Sequence, residues 1–293
     1  FAGRTSLNEK ELFRFLDSQY RKARSSTPDL INEAPRIDAR FVSDFCRRIK
    51  LQEAIFYKSL GTLGGGNHFI EYGEDEQTHE GWLTIHCGSR NVGVKVANHW
   101  HNIAQNPKRA QFVGYLWGDA LNGYLSDMVI AQAYALYNHH IIRDRIFAIL
   151  KKLCKAKCLE SIFTTHNYIS VCGEYPMLRK GAVEAAERER FCLPFNMRDG
   201  IAVCVGKGNP EWNCSAPHGA GRAMSRNAAK KNIGMDEFEK SMNGIFSTSI
   251  CSGTLDESPQ AYKPTEEILR LIEPTAEVIT MVRPRLNIKD IPQ

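Results

Sequence analysis

Between positions 115 and 153 apolar side chains return at every third or fourth residue: Leu125, Met128, Val129, Ala133, Leu136 and Tyr137. That period matches the turn of an α-helix, so the stretch predicts one long helix with a single buried face. A helix of this kind needs a second layer to cover its apolar stripe, and the rest of the chain offers both helices and strands. Residues 7–24 read as a helix, with Leu12, Phe13 and Leu16 at helical spacing and Asn8 placed to cap its start. A Pro-containing stretch at 27–37 follows, then a second helix over 41–58, closed by the glycine-rich run 61–66. The β-branched and aromatic content of 69–72 and 82–86 predicts strands, as do 161–172, 200–205 and 276–283, with a helix over 217–231. This irregular alternation lacks βαβ periodicity, and the expected class is α+β. No internal repeat or linker breaks the chain. A single domain over 1–293 is expected, with 1–60 a helical lead-in and 61–293 the region that carries the motifs.

Composition excludes several classes. The longest apolar runs fall short of the ~20 residues of a membrane span, and no signal-peptide pattern is present, so a soluble protein is expected. Nine cysteines with no Cys-x-x-Cys argue against a disulfide framework and for a reducing cytoplasm. Cys154 and Cys158 read as a helical i, i+4 pair suited to packing. The net charge of +5 is compatible with a polyanionic partner. Lysine and arginine gather at 150–157 and 222–231, where a solvated helix face and a nucleic-acid contact are both open readings.

Four of the nine histidines sit in unusual company. His68 stands where Gly61-Thr62-Leu63-Gly64-Gly65-Gly66-Asn67 enters a strand, and His86 ends a strand before Cys87-Gly88-Ser89-Arg90. His166 lies in Thr-Thr-His-Asn-Tyr and His218 in Pro-His-Gly-Ala-Gly-Arg. Glycines let backbone N–H groups approach a phosphate, and imidazole serves as metal ligand or nucleophile. Arg90 and Arg222 add forked phosphate donors beside two of the histidines. Segment 61–66 is neither a Walker loop, lacking Gly-Lys-Ser/Thr, nor a dinucleotide fingerprint, because a strand follows it. The settings of His79, His99, His101, His139 and His140 are weaker; His99 and His101 fall two apart on an expected helix and His139 and His140 are adjacent, so neither pair converges naturally on one ion. Residue by residue, the reading ends at an α+β protein with a histidine-rich candidate phosphate site.

Taken in order, the segments GTLGGGNHFIE (61–71), HCGSRNVG (86–93), HNY (166–168), RKGA (179–182) and HGAGRAMSR (218–226) resemble the RtcB family of RNA-splicing ligases. AYKP (261–264) and LNIK (286–289) are similar to that family's closing segment. The resemblance implies an α+β fold of mixed β-sheets flanked by helices. It implies two Mn²⁺ ions held by histidines, an aspartate and a bridging cysteine, with His68, His86 and His166 on the histidine positions. GTP is the implied co-substrate. Its pocket falls on Asn67, His68, Phe69, Ile70, Glu71, Asn167, Gly219, Ala220 and Gly221, with Lys289 on the position that contacts guanine. His218 falls on the histidine that becomes guanylylated, and Arg90, Arg179, Lys180 and Arg222 are candidates for phosphate or RNA contact. The implied partners are RNA ends bearing 3′-phosphate (or 2′,3′-cyclic phosphate) and 5′-hydroxyl groups, and an archease-like activator.

Two departures from the family pattern stand out. The Asp-x-Gly-Cys-Gly metal motif is not found. Cys46 has Asp44 two residues before it but no glycines, and it reads as helical packing, so the motif is expected upstream of Phe1. At 194–200, Pro-Phe-Asn-Met-Arg-Asp-Gly replaces a Gly-Ser-Met-Gly-like phosphate loop, placing bulky Phe195 and Arg198 where small residues are expected. Two other functions share these residues: a metal-dependent phosphoesterase, and a protein that binds RNA ends or nucleotide without turnover.

Overall fold

The computed structural model describes residues 8–26, 35–104, 114–171 and 176–291. Positions 27–34 of the Pro-containing stretch, and position 172 at the end of an expected strand, lie outside them. The chain folds as an α+β protein whose contacts divide it into two compact units. One comprises Phe1–Thr62, Cys87–Leu150 and Ile169–Leu178; the other comprises Leu63–His86, Lys151–Tyr168 and Arg179–Gln293.

The first unit is helical. Helix α1 (Glu9–Ser26) buries Leu12, Leu16 and Tyr20; α2 (Ala39–Arg48) buries Val42, Phe45 and Cys46; and α3 (Glu53–Lys58) buries Phe56. Helix α4 (Val92–Ala104) adds Val92, Val96 and Trp100, and the long α5 (Gly118–Cys154) adds Leu125, Val129, Ile130, Ala133 and Tyr134 to the same cluster. The three-and-four spacing of α5 therefore delivers its predicted face. Cys46 is part of that packing, and burial pushes its thiol up to about 12. A buried carboxylate, Asp127, ties three helices together by accepting from Arg48 Nη2 at 2.5 Å and from Trp100 Nε1 at 2.9 Å.

The helix expected over 41–58 is two helices. Lys50 takes φ +55°, and Lys50 N donates to Arg47 O while Leu51 N donates to Cys46 O. That pair of bonds is a Schellman stop, satisfying orphan carbonyls at the end of α2. Neither Gly nor Pro announces it. The Cys154–Cys158 reading also changes: α5 ends at Cys154 and both thiols are exposed, so they do not pack as a helical pair.

The second unit is built on a five-stranded sheet, order β2-β1-β9-β7-β6, antiparallel throughout. Its strands are β1 (Phe69–Asp75), β2 (Gly81–His86), β6 (Arg190–Pro194), β7 (Ile201–Gly206) and β9 (Ala276–Lys289). Between β2 and β6 in sequence lie β3 (Asn167–Ser170) and β4 (Met177–Lys180), which pair with each other; of these, Asn167, Tyr168, Arg179 and Lys180 belong to the second unit. Strand β5 (Ala182–Glu184) pairs with β8 (Ser215–Pro217). On β7, Ala202 and Cys204 face a cluster with Phe191, Leu193 and Phe195, while Ile201 and Val203 face another with Val282. Both faces are covered, which explains the unbroken apolar run of that strand. Helices α6 (Arg226–Asn232), α7 (Met235–Ser241) and α8 (Thr265–Ile272) complete the unit, α8 placing Ile268 and Ile272 against the Phe191 side.

Three sequence expectations are corrected here. The strand over 161–172 is confined to Asn167–Ser170 among the described residues. The helix expected over 217–231 begins only at Arg226, where the Ser225 hydroxyl accepts from Ala228 N; residues 218–225 are loop. The final strand continues past 283 to Lys289, carrying Pro284 beside a register shift at Tyr72/Gly73. Proline lacks a ladder N–H, and an irregularity in the pairing is where a strand can hold it. Among the described residues no helix is long and apolar enough to cross a membrane.

Candidate active site

The four histidines singled out in the sequence all belong to the second unit, and their rings meet in series. His68 and His86 are 5.8 Å apart between ring centroids, His86 and His166 5.3 Å, and His166 and His218 4.6 Å with nearly parallel planes. Sheet register explains the first pair. His68 directly precedes β1, and Phe69 sits opposite His86 on β2 and opposite Lys289 on β9. Phe69 stacks on His86 at 5.4 Å, and Lys289 Nζ lies over the same Phe69 ring, 5.3 Å from its centroid. The amide Nδ2 of Asn67 reaches within 3.5 Å of His86 Nε2. Burial pushes the His86 imidazole well below its ordinary value, and the neighbouring His166, His68, Lys289 and His218 push the same way. Both effects disfavour the charged form of the ring.

A single glycine joins the other two histidines. Gly181 N donates to His166 O at 2.9 Å and to Asn167 Oδ1 at 3.0 Å. Gly181 O lies 2.8 Å from His218 Nδ1 and 3.4 Å from His218 N. A carbonyl oxygen only accepts, so Nδ1 carries the proton and Nε2 of the neutral ring keeps its lone pair. Gly181 occupies φ +67°, a region that glycine enters without the strain of a Cβ.

The loop after His218 leans on β6. Ala220 N donates to Pro194 O at 3.0 Å, and a Cβ on Gly219 would come within 3.0 Å of that same oxygen. Gly221, at φ +72°, then turns the chain so that its carbonyl accepts from Lys263 N. The unusual 194–200 segment is the turn between β6 and β7. Phe195 and Met197 are buried in separate apolar clusters, and Arg198 forks onto Asp199. The bulky side chains that stand in place of a small-residue phosphate loop are therefore core and turn residues.

Deeper along the sheet, Glu71 is 2% exposed and Asn287 on β9 is 1% exposed. Asn287 Nδ2 donates to Glu71 Oε2 at 2.7 Å, while among the described residues Glu71 Oε1 and Asn287 Oδ1 have no hydrogen-bond partner. Burial pushes the Glu71 carboxyl up to about 8, against the opposing pull of Asn287 and Lys289. Ile70, between Phe69 and Glu71 on β1, alternates to the other face. Lys289 is buried, with Nζ 3.2 Å from Glu257 Oε2, and burial lowers its ammonium while Glu257 works in the opposite direction.

The basic candidates have diverse settings. Arg222 is bound to protein acceptors, with Nε on Met224 O at 3.1 Å and Nη1 3.5 Å from Glu257, and it stacks over Tyr262. Arg179 is buried, donating to Ser215 Oγ and Tyr168 OH at 3.1 Å each. Lys180, next to Gly181, is exposed. Arg90 belongs to the first unit, where its Nε donates to Thr62 Oγ1 at 3.0 Å. The remaining histidines sit on other elements: His79 in the β1–β2 turn, His99 and His101 on α4, His139 and His140 on α5. Among the described residues no group of three or more His, Cys, Asp or Glu side chains could hold a metal ion as they stand. The rings meet in series, not around one point. Sequence reasoning missed Gly181, Asn287 and Glu257. Gly181 was visible inside Arg-Lys-Gly-Ala, but a backbone role carries no side-chain signal.

A family model described as tRNA-splicing ligase RtcB matches residues 16–290. The RNA-splicing ligase RtcB of Escherichia coli strain K12 is 30% identical over 233 residues, which cover 73% of this chain and 57% of that protein. The tRNA-splicing ligase RtcB of Nanoarchaeum equitans is 27% identical, covering 72% of this chain and 55% of its own length. That of Aeropyrum pernix is 25% identical over 92% of this chain and 67% of its own length. The chain thus spans a little over half the length of the first of these relatives.

Proposed function

The chain belongs to the RtcB family of tRNA-splicing ligases, and on that premise we propose that the whole protein joins RNA 3′-phosphate and 5′-hydroxyl ends with GTP, through guanylate carried on His218. The observation that carries this reading is the bond from His218 Nδ1 to Gly181 O. It supports the reading because the Nδ1–H tautomer leaves a lone pair on Nε2, which a nucleophile needs. Nε2 attacks the α-phosphorus of GTP, forming a P–N bond as the bond to the bridging oxygen breaks and pyrophosphate leaves. An oxygen of the RNA 3′-phosphate then attacks the same phosphorus, the P–N bond breaks, and its electron pair returns to the imidazole. The 5′-hydroxyl oxygen of the second RNA end attacks the activated 3′-phosphorus, giving up its proton to solvent or a base as GMP leaves. A 2′,3′-cyclic phosphate is first opened by water. Imidazole suits the carrier role because it is nucleophilic near neutral pH and leaves readily afterwards.

The donor chemistry fits a divalent transition ion. His68, His86 and His166 offer three imidazoles in successive ring contact, with burial disfavouring the charged form of His86. These three would contribute to holding the Mn²⁺ ions together with the aspartate and cysteine that the family pattern adds, and the ions would supply positive charge for the phosphoryl oxygens. Asn67, Phe69, Glu71, Asn167 and Lys289 would bind guanylate with the loop 218–221. Exposed Lys180 is suited to contact RNA phosphate. An archease-like activator is a further proposed partner.

The test uses the full-length protein with Mn²⁺ and α-labelled GTP. The expected result is an acid-labile protein–GMP adduct that is absent from His218→Ala. Processing of an RNA 3′-phosphate without any adduct would instead support a phosphoesterase. Nucleotide or RNA binding with neither adduct nor turnover would support the binding-protein reading.

A further inference from the structure

Glu257 is 2% exposed, yet neither the family motifs nor the histidine cluster gives it a task. Its carboxylate is fully engaged. Oε1 takes Arg226 Nη1 at 2.8 Å and Arg222 Nη1 at 3.5 Å, while Oε2 takes Tyr262 OH at 2.6 Å and Lys289 Nζ at 3.2 Å. Asp256, next in the chain, binds Arg226 and Lys230. Four cations thus surround two carboxylates, so the cluster keeps an excess of positive charge.

The partners of Glu257 come from the two ends of the proposed guanylate site. Arg222 follows the His218 loop, and residues 221–223 are zipped to 261–263 by Lys263 N to Gly221 O at 3.1 Å and Ala223 N to Ala261 O at 2.9 Å. Lys289 comes from the far end of β9, where Ser249 Oγ both donates to its carbonyl and accepts from its N–H. Its Nζ stands over Phe69, the residue that stacks on His86. A buried ion pair is weak evidence for stability, because packed apolar side chains often do as well. It does hold polar and charged groups in one arrangement, and this one holds a lysine, a tyrosine and two arginines.

We propose that Glu257 is the positioning residue of the guanine end: its carboxylate sets Lys289 against the base and, through Arg222 and the Tyr262 stacked under it, couples that end to the loop bearing His218. The proposal rests on the guanylate reading above. Glu257 itself touches no reacting atom, so its effect is expected in binding and base choice more than in phosphoryl transfer.

The experiment is a double-mutant cycle in the full-length, Mn²⁺-loaded protein, reading protein–GMP formation against GTP and ATP. Glu257→Gln should raise the KM for GTP about tenfold or more and narrow the preference for GTP over ATP, with kcat changed less than about threefold. Glu257→Asp should recover part of the loss. Glu257→Gln added to Lys289→Met should lose clearly less than the product of the two single effects, because the Glu257–Lys289 contact is removed by either one. Multiplicative losses, or a fall in kcat at unchanged KM, overturn the proposal. If Glu257→Gln does not fold, Glu257→Asp is carried through the same cycle, and additivity there has the same meaning. A parent protein that binds no GTP sinks the guanylate reading, and this inference with it. A parent that binds GTP while a folded Glu257→Gln variant binds it equally sinks the role of Glu257 alone.

Discussion

His218 Nδ1 donates to the carbonyl of Gly181 at 2.8 Å, and the N–H of that same glycine donates to the carbonyl of His166. One peptide unit on either side of a residue at φ +67° therefore sets the tautomer of one histidine and the backbone of another. A Cβ at Gly181 would stand 3.5 Å from His218 Nδ1, an ordinary contact, so the expected penalty is conformational. Gly181→Ala should lose about 1–2 kcal/mol through the left-handed backbone alone. Its protein–GMP yield should fall further than that modest loss explains, because relaxing φ moves the acceptor. Thermal melting and adduct formation measured side by side check this, and full adduct yield at a lowered melting temperature would refute it.

Glu71 gives a pH dependence with a definite sign. Its folded value, near 8, lies above its ordinary value of 4.5, so the folded state holds the proton more tightly. The contribution to stability is fully present below about 4.5 and is lost as pH rises through about 8. Glu71→Gln, permanently neutral and of similar shape, should remove that slope, which amounts to a few kcal/mol at most. Denaturant midpoints at pH 5, 7 and 9 should converge in the variant while the parent falls. Parallel curves for the two proteins would show that Glu71 ionises freely.

The sequence made some of this legible and hid the rest for physical reasons. The long helix was readable because its apolar period is undisturbed, and β1 and β2 because β-branched and aromatic residues fill them. The end of α2 was not, because Lys50 enters the left-handed region with no glycine to signal it. Pro284 hid the last turns of β9, which are the ones that bring Asn287 and Lys289 beside β1. The site followed the same division. His68, His86 and His218 were named from glycine-containing motifs and His166 from Thr-Thr-His-Asn-Tyr, and their rings do meet. Glu257 sits in Leu-Asp-Glu-Ser, which looks like any solvated polar loop; only the fold shows that its carboxylate is buried.

Gly200 opens β7 under a severe constraint. It holds φ +77°, and a Cβ there would fall 2.1 Å from Val282 O, a backbone atom of β9 that cannot swing away. Gly200→Ala must force β7 and β9 apart at the centre of the sheet. A loss of about 3 kcal/mol or more is expected from strain and broken pairing. In calorimetry the second unit should melt roughly 10 °C lower, or the protein should fail to accumulate in soluble form. A shift of about 2 °C or less would mean that the turn is far more pliable than its geometry indicates.

Asp199, in the same turn, makes the opposite pH prediction. Burial, the largest single effect, resists its ionisation, but hydrogen bonds from Arg198, Asn196 and Thr265 together outweigh it and hold the carboxyl at about 2. The folded value lies below the ordinary 3.8, so the stability it contributes is present above about 3.8 and lost as pH falls through about 2. Asp199→Asn keeps the shape and one acceptor oxygen while removing the charge that Arg198 grips at 2.7 Å. At pH 7 the substitution should lower stability by about 2 kcal/mol, the worth of the shift in this mostly buried side chain. Near pH 2 the two proteins should unfold at nearly the same denaturant concentration, since the parent carboxyl is then half protonated. A deficit that stays constant from pH 7 to pH 2 would assign the loss to the turn's geometry and leave the ion pair with no role in it.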